Sequence, residues 1–199
     1  ITMSAKIGKP APPFDMATYF PVKDEDKNVQ LEGYKGKWLI LYFYPADFTF
    51  VCPTELKELG EQYSTIQELG GEVLAVSTDT VFTHRAWLET EKLLKDVKYP
   101  LAADHTGNVS IDYGVDDEDS NLSQRGAFII DPDGILKIIY TVDTPIGRNS
   151  NEIVRLLRAL KFVRENPERA CPASWNEGAP TLEPSIKMVG HVYEALEGK

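Results

Sequence analysis

The stretch WLILYFYPADFTFVCPTELKELGEQYSTIQELGGEVLAVS, residues 38–77, decides the fold. It opens on Trp38-Leu39-Ile40-Leu41-Tyr42-Phe43-Tyr44, an apolar and aromatic run stopped by Pro45. A run of that length suits a strand buried on both faces. From Pro53 to Leu69 the composition turns helical, and Leu56, Leu59, Tyr63, Ile66 and Leu69 recur at spacings of three and four, which places them on one stripe. Gly70-Gly71 ends the helix. Glu72 to Ser77, built on Val73, Leu74, Ala75 and Val76, reads as a second buried strand.

Outward from this core the pattern continues. Upstream, Asp15 to Gly36 reads as an irregular or hairpin-like opening with a polar turn at Asp24 to Asn28. Downstream, Thr83 to Leu94 reads as a helix, Tyr99 to Ala103 as a short strand and Asn108 to Tyr113 as a short helix, followed by the acidic loop Asp116 to Asp119. The apolar runs Gly126 to Asp131 and Ile135 to Thr141 flank Asp131-Pro132-Asp133-Gly134, a hairpin turn in which proline presets one dihedral and glycine accepts a positive one. Ser150 is placed to cap a helix carrying Glu152 in its first turn and Ile153, Leu156, Leu157, Leu160 and Phe162 on its apolar side. The order predicts an α/β domain, a central sheet covered by helices on both faces, over residues 1–166. From Pro167 proline and glycine become frequent, so residues 167–199 read as an extended C-terminal arm closing in a short helix from Ser185 to Leu196.

Composition narrows the function. The chain has 199 residues, and Lys plus Arg (21) against Asp plus Glu (31) gives a net charge of −10. That balance disfavours phosphate-backbone binding, so no nucleic-acid partner is expected. No stretch is apolar for long enough to suggest a membrane helix, and the opening ITMSAKIGKPAPPF lacks the apolar core of a secretory signal. Ile1 and Thr2, ahead of Met3, read as a processing remnant. The expected setting is cytoplasmic. Two cysteines are too few for a disulfide framework or a cysteine-based zinc site, and the spacing of His84, His105 and His191 suggests no metal site and solvated or packing roles. A cysteine pair in the cytosol is more often catalytic or redox-sensing than structural.

Cys52 sits where the buried strand gives way to the helix. Pro53 suits a first helical position, and Glu55 stands where a capping-box carboxylate would be. Free N–H groups and the positive end of the helix dipole meet there, which favours a thiolate over a thiol, and reactivity follows the thiolate. A buried inert cysteine is the alternative. Thr49-Phe50-Val51-Cys52 also resembles a Cys-x-x-Cys whose first cysteine is a threonine, so a second sulfur must come from elsewhere. Cys171, in the arm segment Ala170-Cys171-Pro172-Ala173-Ser174-Trp175, is the remaining one. A structural staple and a mobile redox thiol are both open for it.

With these residues in view the chain resembles a typical 2-Cys peroxiredoxin of the alkyl hydroperoxide reductase C branch. Pro45, Thr49 and Cys52 meet the pattern Pro-x-x-x-Thr/Ser-x-x-Cys, and FTFVCPTE runs unbroken from Phe48 to Glu55. RGxFIIDPxG at Arg125 to Gly134, the pair Gly147-Arg148 and CPASWNEG at Cys171 to Gly178 extend the resemblance over essentially the whole chain. It implies a thioredoxin-like fold with a central mixed sheet, and a cofactor-free peroxidase of hydrogen peroxide and alkyl hydroperoxides. In that likeness Cys52 is the peroxidatic cysteine, Cys171 the resolving cysteine of a second subunit, and Pro45, Thr49 and Arg125 the pocket, with the Thr49 hydroxyl as a donor. Glu55 and Arg148 form a supporting ion-pair network. It further implies an external dithiol reductant (a flavoprotein disulfide reductase or a thioredoxin-type protein) and a homodimer assembling into a decamer of five dimers, with Phe48 and Phe82 as candidate ring contacts.

Peroxide-sensitive relatives carry a Gly-Gly-Leu-Gly insertion and a C-terminal Tyr-Phe pair; here Glu91 to Pro100 lacks glycine and Tyr193 precedes Glu194, so resistance to over-oxidation is expected. Two other readings compete. A holdase chaperone or peroxide-signalling scaffold is one. A general disulfide oxidoreductase is the other, weakened by the missing local Cys-x-x-Cys.

Overall fold

The first unit of the chain, ending at Ser150, is organised by one seven-stranded sheet. Its strands are β1 (Asp15–Phe20), β2 (Glu25–Gln30), β3 (Trp38–Phe43), β4 (Gly71–Ser77), β5 (Leu101–Ala103), β6 (Arg125–Ile130) and β7 (Leu136–Val142), in the spatial order β2-β1-β5-β4-β3-β6-β7. The helices are α1 (Cys52–Glu68), α2 (Val81–Thr90), α3 (Asn108–Tyr113), α4 (Ser150–Glu165) and α5 (Val192–Leu196). The computed structural model describes residues 4–197, so the reading of Ile1 and Thr2 lies outside the described residues.

β3 lies between β4, to which it is parallel, and β6, to which it is antiparallel, and all six of its residues are buried. A parallel neighbour requires a crossover, and α1 supplies it. Side chains alternate across the sheet. Leu39, Leu41 and Phe43 join Leu74, Val76, Phe128 and Ile130 in a core cluster with Val109 and Tyr113 of α3. Tyr42 and Tyr44 point to the other face, where Tyr44 packs on Trp87 of α2 and Tyr99 donates to the Leu56 carbonyl of α1 at 2.7 Å. The sheet is thus mixed and flanked by helices on both faces, a thioredoxin-like arrangement.

Several local expectations shift. The opening hairpin exists, but its turn is Pro21–Asp24, and Glu25–Asn28 is already strand β2 paired with β1. The helix expected over Thr83–Leu94 ends at Thr90, and Lys92–Leu94 is a separate 3-10 turn that the Glu91 side chain caps at Leu93 N. Thr80 caps α2 by accepting from Thr83 N, which starts the helix two residues early. The 131–134 turn forms as read: Asp131 Oδ1 accepts from the N–H groups of Asp133 and Ile135, both at 2.9 Å, and Gly134 takes φ +82°. Ser150 does not cap α4. It is the first helical residue, its N–H donates to Glu58 Oε2 at 3.0 Å, and its buried hydroxyl has no hydrogen-bond partner among the described residues.

The second unit begins at Asn151. Within it Phe162 of α4 packs on Trp175 with ring centroids 5.0 Å apart, and Ala170 and Leu182 exchange backbone hydrogen bonds as an isolated bridge. The terminal helix expected over Ser185–Leu196 is instead a 3-10 turn at Ile186–Met188 and α5. Among the described residues no helix is long and apolar enough to cross a membrane.

Candidate active site

Cys52 is the first residue of α1 and is fully buried. The strand before it stops because Pro45 offers no N–H to a ladder, and eight residues later Pro53 fits the second helical position for the same reason. Thr54 and Glu55 both send their N–H groups to the Val51 carbonyl, at 3.0 and 3.2 Å. Pro53 has none, so Cys52 supplies the first-turn N–H left for an anion.

Arg125, at the start of β6, closes over the sulfur. Its Nη1 donates to Cys52 Sγ at 3.3 Å and to Glu55 Oε2 at 2.7 Å, while its Nε donates to the Thr144 carbonyl at 2.7 Å. Arg148 grips the other side of the same carboxylate: its backbone N–H and Nε reach Glu55 Oε1 at 2.8 and 2.9 Å, and its Nη2 reaches Oε2 at 3.1 Å. The Arg148 guanidinium also lies 3.5 Å from the Tyr42 ring centroid. Burial works to raise the Glu55 carboxyl, but the hydrogen bonds and charge of Arg148 and the charge of Arg125 outweigh it and hold the carboxyl below its ordinary value. Two guanidinium groups against one carboxylate leave a net positive charge beside Cys52. Glu55 therefore anchors the arginines instead of closing a capping box: the α1 N-cap, Val51, has no side-chain cap.

Gly126 lets Arg125 sit here. A Cβ at position 126 would lie 2.7 Å from Val115 Cγ1 and 2.9 Å from the Phe128 ring. A side chain at that point would push the strand that carries the guanidinium.

The structure joins Cys52, Arg125, Glu55 and Arg148 through hydrogen bonds. Pro45 and Thr49 lie in the loop leading into Cys52, Pro45 buried and Thr49 half-buried. The Thr49 hydroxyl donates to the Ala46 carbonyl at 2.7 Å, so its proton is committed there and its lone pairs are what it presents. The donor role expected of it toward the thiolate is not the one this geometry provides.

Cys171, in the second unit, is half-buried and free, as Cys52 is. Its surroundings come from α4 and the segment after it. Arg155 holds Glu152 through two bonds of 2.7 Å and donates from Nη1 to the Trp175 carbonyl at 2.9 Å, and the Trp175 indole N–H donates to Ala179 at 3.0 Å. Burial raises the Cys171 thiol above its ordinary value, and the charge of Arg155 opposes that shift.

Asp47, in the loop before Cys52, and His84, read from the sequence as solvated or packing, form a buried pair that the sequence reading did not foresee. His84 is wholly buried and pairs with Asp47, itself 6% exposed, at 2.7 Å. The available signal was Asp47 inside the 38–77 stretch and His84 one helical turn before Trp87.

The AhpC/TSA family model matches residues 7–139. Alkyl hydroperoxide reductase C of Staphylococcus epidermidis is 43% identical over 186 residues, 94% of this chain and 98% of that protein. The Staphylococcus aureus protein of the same name is 42% identical over the same shares. Among solved structures, the reduced 2-Cys peroxiredoxin of Plasmodium vivax superposes with a TM-score of 0.87 at 34% identity, covering 91% of this chain and 94% of that one. AhpC of Enterococcus faecalis gives 0.80 at 40% identity, covering 84% and 99%. A matched family model over most of the first unit, relatives of this identity along nearly the full length, and a free cysteine set on a helix start beneath an arginine agree: the chain belongs to the AhpC/TSA family.

Proposed function

We propose that Cys52 is the sulfur that attacks peroxide and Cys171 the thiol that resolves it. The chain is a thiol-dependent peroxidase, and the observation that carries the assignment of Cys52 is its Sγ, buried at the first position of α1, 3.3 Å from Arg125 Nη1. The thiolate attacks one peroxide oxygen, the O–O bond breaks, and the departing hydroxide or alkoxide takes a proton to leave as water or alcohol. The negative charge that develops on the oxygens meets the Arg125 guanidinium and the Cys52 N–H, preorganised donors in a site closed to water. The lone pairs of Thr49 accept from the peroxide O–H and fix its direction, while Pro45 covers the sulfur without offering a competing donor.

The product is Cys52 sulfenic acid. The Cys171 thiolate of a second subunit attacks it, forming a disulfide and releasing water, and a dithiol reductant then exchanges with the disulfide to restore both thiols. That reductant is a flavoprotein disulfide reductase or a thioredoxin-type protein, and the setting is cytoplasmic. The assembly is a decamer of five dimers in which Phe48 and Phe82, 56% and 79% exposed, supply contacts between dimers.

Stopped-flow mixing with hydrogen peroxide tests the first step: fast, stoichiometric loss of one thiol per chain is expected. Persistence of that thiol would remove the assignment. Non-reducing gels test the second, since a 52–171 link joining two chains runs at twice the monomer mass. Light scattering reads the oligomer.

A further inference from the structure

The loop that carries Pro45 and Thr49 into Cys52 is tied down at Asp47. Asp47 Oδ1 accepts from the Tyr44 hydroxyl at 2.6 Å, Oδ2 lies 2.7 Å from His84 Nδ1, and the Asp47 N–H donates to Asp79 Oδ2 at 2.8 Å. The opposite nitrogen of His84, Nε2, lies 3.0 Å from the Ala102 carbonyl of β5. The next residue, Phe48, has φ +55°, a left-handed backbone that a bulky side chain rarely adopts, and its ring rests 6.2 Å from Trp87 of α2. Such a conformation persists only where its surroundings enforce it.

Proton counting shows what the enforcement depends on. A carbonyl only accepts, so Nε2 carries a proton. Nδ1 faces a carboxylate oxygen at hydrogen-bonding distance, so a second proton lies between them, shared by the pair. Remove one of the two protons, and lone pairs face each other either at Asp47 Oδ2 or at the Ala102 carbonyl, in a site closed to solvent. From the sheet side the pair is faced by Tyr44, whose hydroxyl is 3.4 Å from Nδ1, and by the Ala102 carbonyl. From the loop after β4 it is faced by Asp79, which also accepts from Ser77. Burial raises the Asp47 carboxyl and His84 opposes the rise, consistent with a proton retained in the pair.

The geometry points to Asp47 and His84 as positioning residues for Cys52, a one-proton latch that holds the Pro45–Val51 loop against α2 and the sheet and opens when that proton is lost. The inference rests on the peroxidatic reading of Cys52, for it says what keeps that sulfur's pocket assembled.

Two substitutions test it. His84→Leu removes the partner and leaves the Asp47 charge buried. Asp47→Asn keeps the shape and lets an amide donate to an unprotonated Nδ1, so the latch no longer needs the shared proton. Stopped-flow oxidation of Cys52 and amide hydrogen exchange are the readouts. H84L is expected to slow oxidation about tenfold or more and to speed exchange in residues 45–51 while β4 stays protected. The ratio of wild-type to D47N rate constants, which cancels the ionisation of Cys52 itself, is expected to fall several-fold as pH rises from neutral, the direction in which a shared proton is lost. Wild-type rate and exchange in H84L, or a ratio independent of pH, would overturn the latch. Should H84L fail to fold, the ratio decides alone. A wild-type protein with no fast oxidation at all would remove the peroxidatic role instead, and exchange in D47N against wild type across the same pH range would then judge the latch.

Discussion

Cys52 and Cys171 have the same side chain in opposed settings. Cys52 is sealed, placed by a helix start and held under a guanidinium that also grips Glu55. Cys171 is half-exposed in a segment with little regular structure, and Arg155, whose charge acts on it, is already committed to Glu152 and to the Trp175 carbonyl. The first environment suits one step on a small substrate that must be held still. The second suits a thiol that must reach another sulfur. In the proposed cycle the difference predicts separate control of the two halves: the peroxide step by preorganised charge, the resolving step by ionisation and access.

The sharpest way to break this comparison is to exchange the sulfurs for hydroxyls. Cys52→Ser should abolish peroxide-dependent thiol loss, whereas Cys171→Ser should leave the first oxidation intact and stop at the sulfenic acid, trapped by a dimedone-type reagent. If Cys171→Ser alone removed the rapid phase, the roles would be reversed. Glu55→Gln comes next in size. It leaves two buried guanidinium groups without their carboxylate, a loss of about 3–5 kcal/mol for breaking a buried pair. The sign of the pH effect follows from Glu55's lowered carboxyl. A carboxyl that binds protons more weakly folded than unfolded stabilises the fold above its unfolded value, and that stability is lost as pH falls through the folded value. Urea midpoints should therefore fall in acid for the wild type with a component that E55Q lacks. An unchanged acid slope would show that Glu55 does not carry it.

Arg125→Leu tests the peroxide step with less damage to the fold, because Arg148 keeps its three bonds to Glu55. Loss of one preorganised donor to developing charge costs about a hundredfold or more in rate. A variant within threefold of wild type, read by stopped flow, would mean that the helix start alone drives the chemistry.

The 38–77 stretch was legible because each boundary in it has a local cause: an apolar run too long for a surface strand, a proline that cannot pair, and a glycine pair with Gly70 at φ +80°. The 131–134 turn was legible for the same reason. What escaped was decided by distant partners. Glu25–Asn28 is polar enough to pass for a turn, yet β1 pairs with it residue for residue. Glu55 has the spacing of a capping box, and only the arrival of Arg125 and Arg148 from more than sixty positions away shows it as an anchor. Thr49 donates to a carbonyl three residues back, a bond that residue types alone do not announce. The resemblance picked out these residues and the Glu55–Arg148 ion pair, and the geometry changed the part expected of Thr49.

The smallest expected effect concerns the second cysteine and uses pH to separate the steps. Burial lifts the Cys171 thiol above its ordinary value, with Arg155 opposing, so at neutral pH only a small fraction is thiolate. Only the thiolate attacks the sulfenic acid, so disulfide formation should quicken about tenfold per pH unit while the thiol remains mostly protonated. Arg155→Leu removes the opposing charge and should slow it a few-fold further at fixed pH. A sulfenic acid that waits longer meets a second peroxide more often and becomes sulfinic acid. The absence of the Gly-Gly-Leu-Gly and Tyr-Phe features argues for a robust enzyme at neutral pH, and the Cys171 thiol argues that this robustness shrinks as pH falls. Mass spectrometry of Cys52 after turnover at several pH values distinguishes them. Little sulfinate at neutral pH, rising in acid and more so in the Arg155 variant, is expected. Rapid sulfinate at neutral pH would end the robust reading, and a yield independent of pH would show that loop motion, not Cys171 ionisation, sets the pace of resolution.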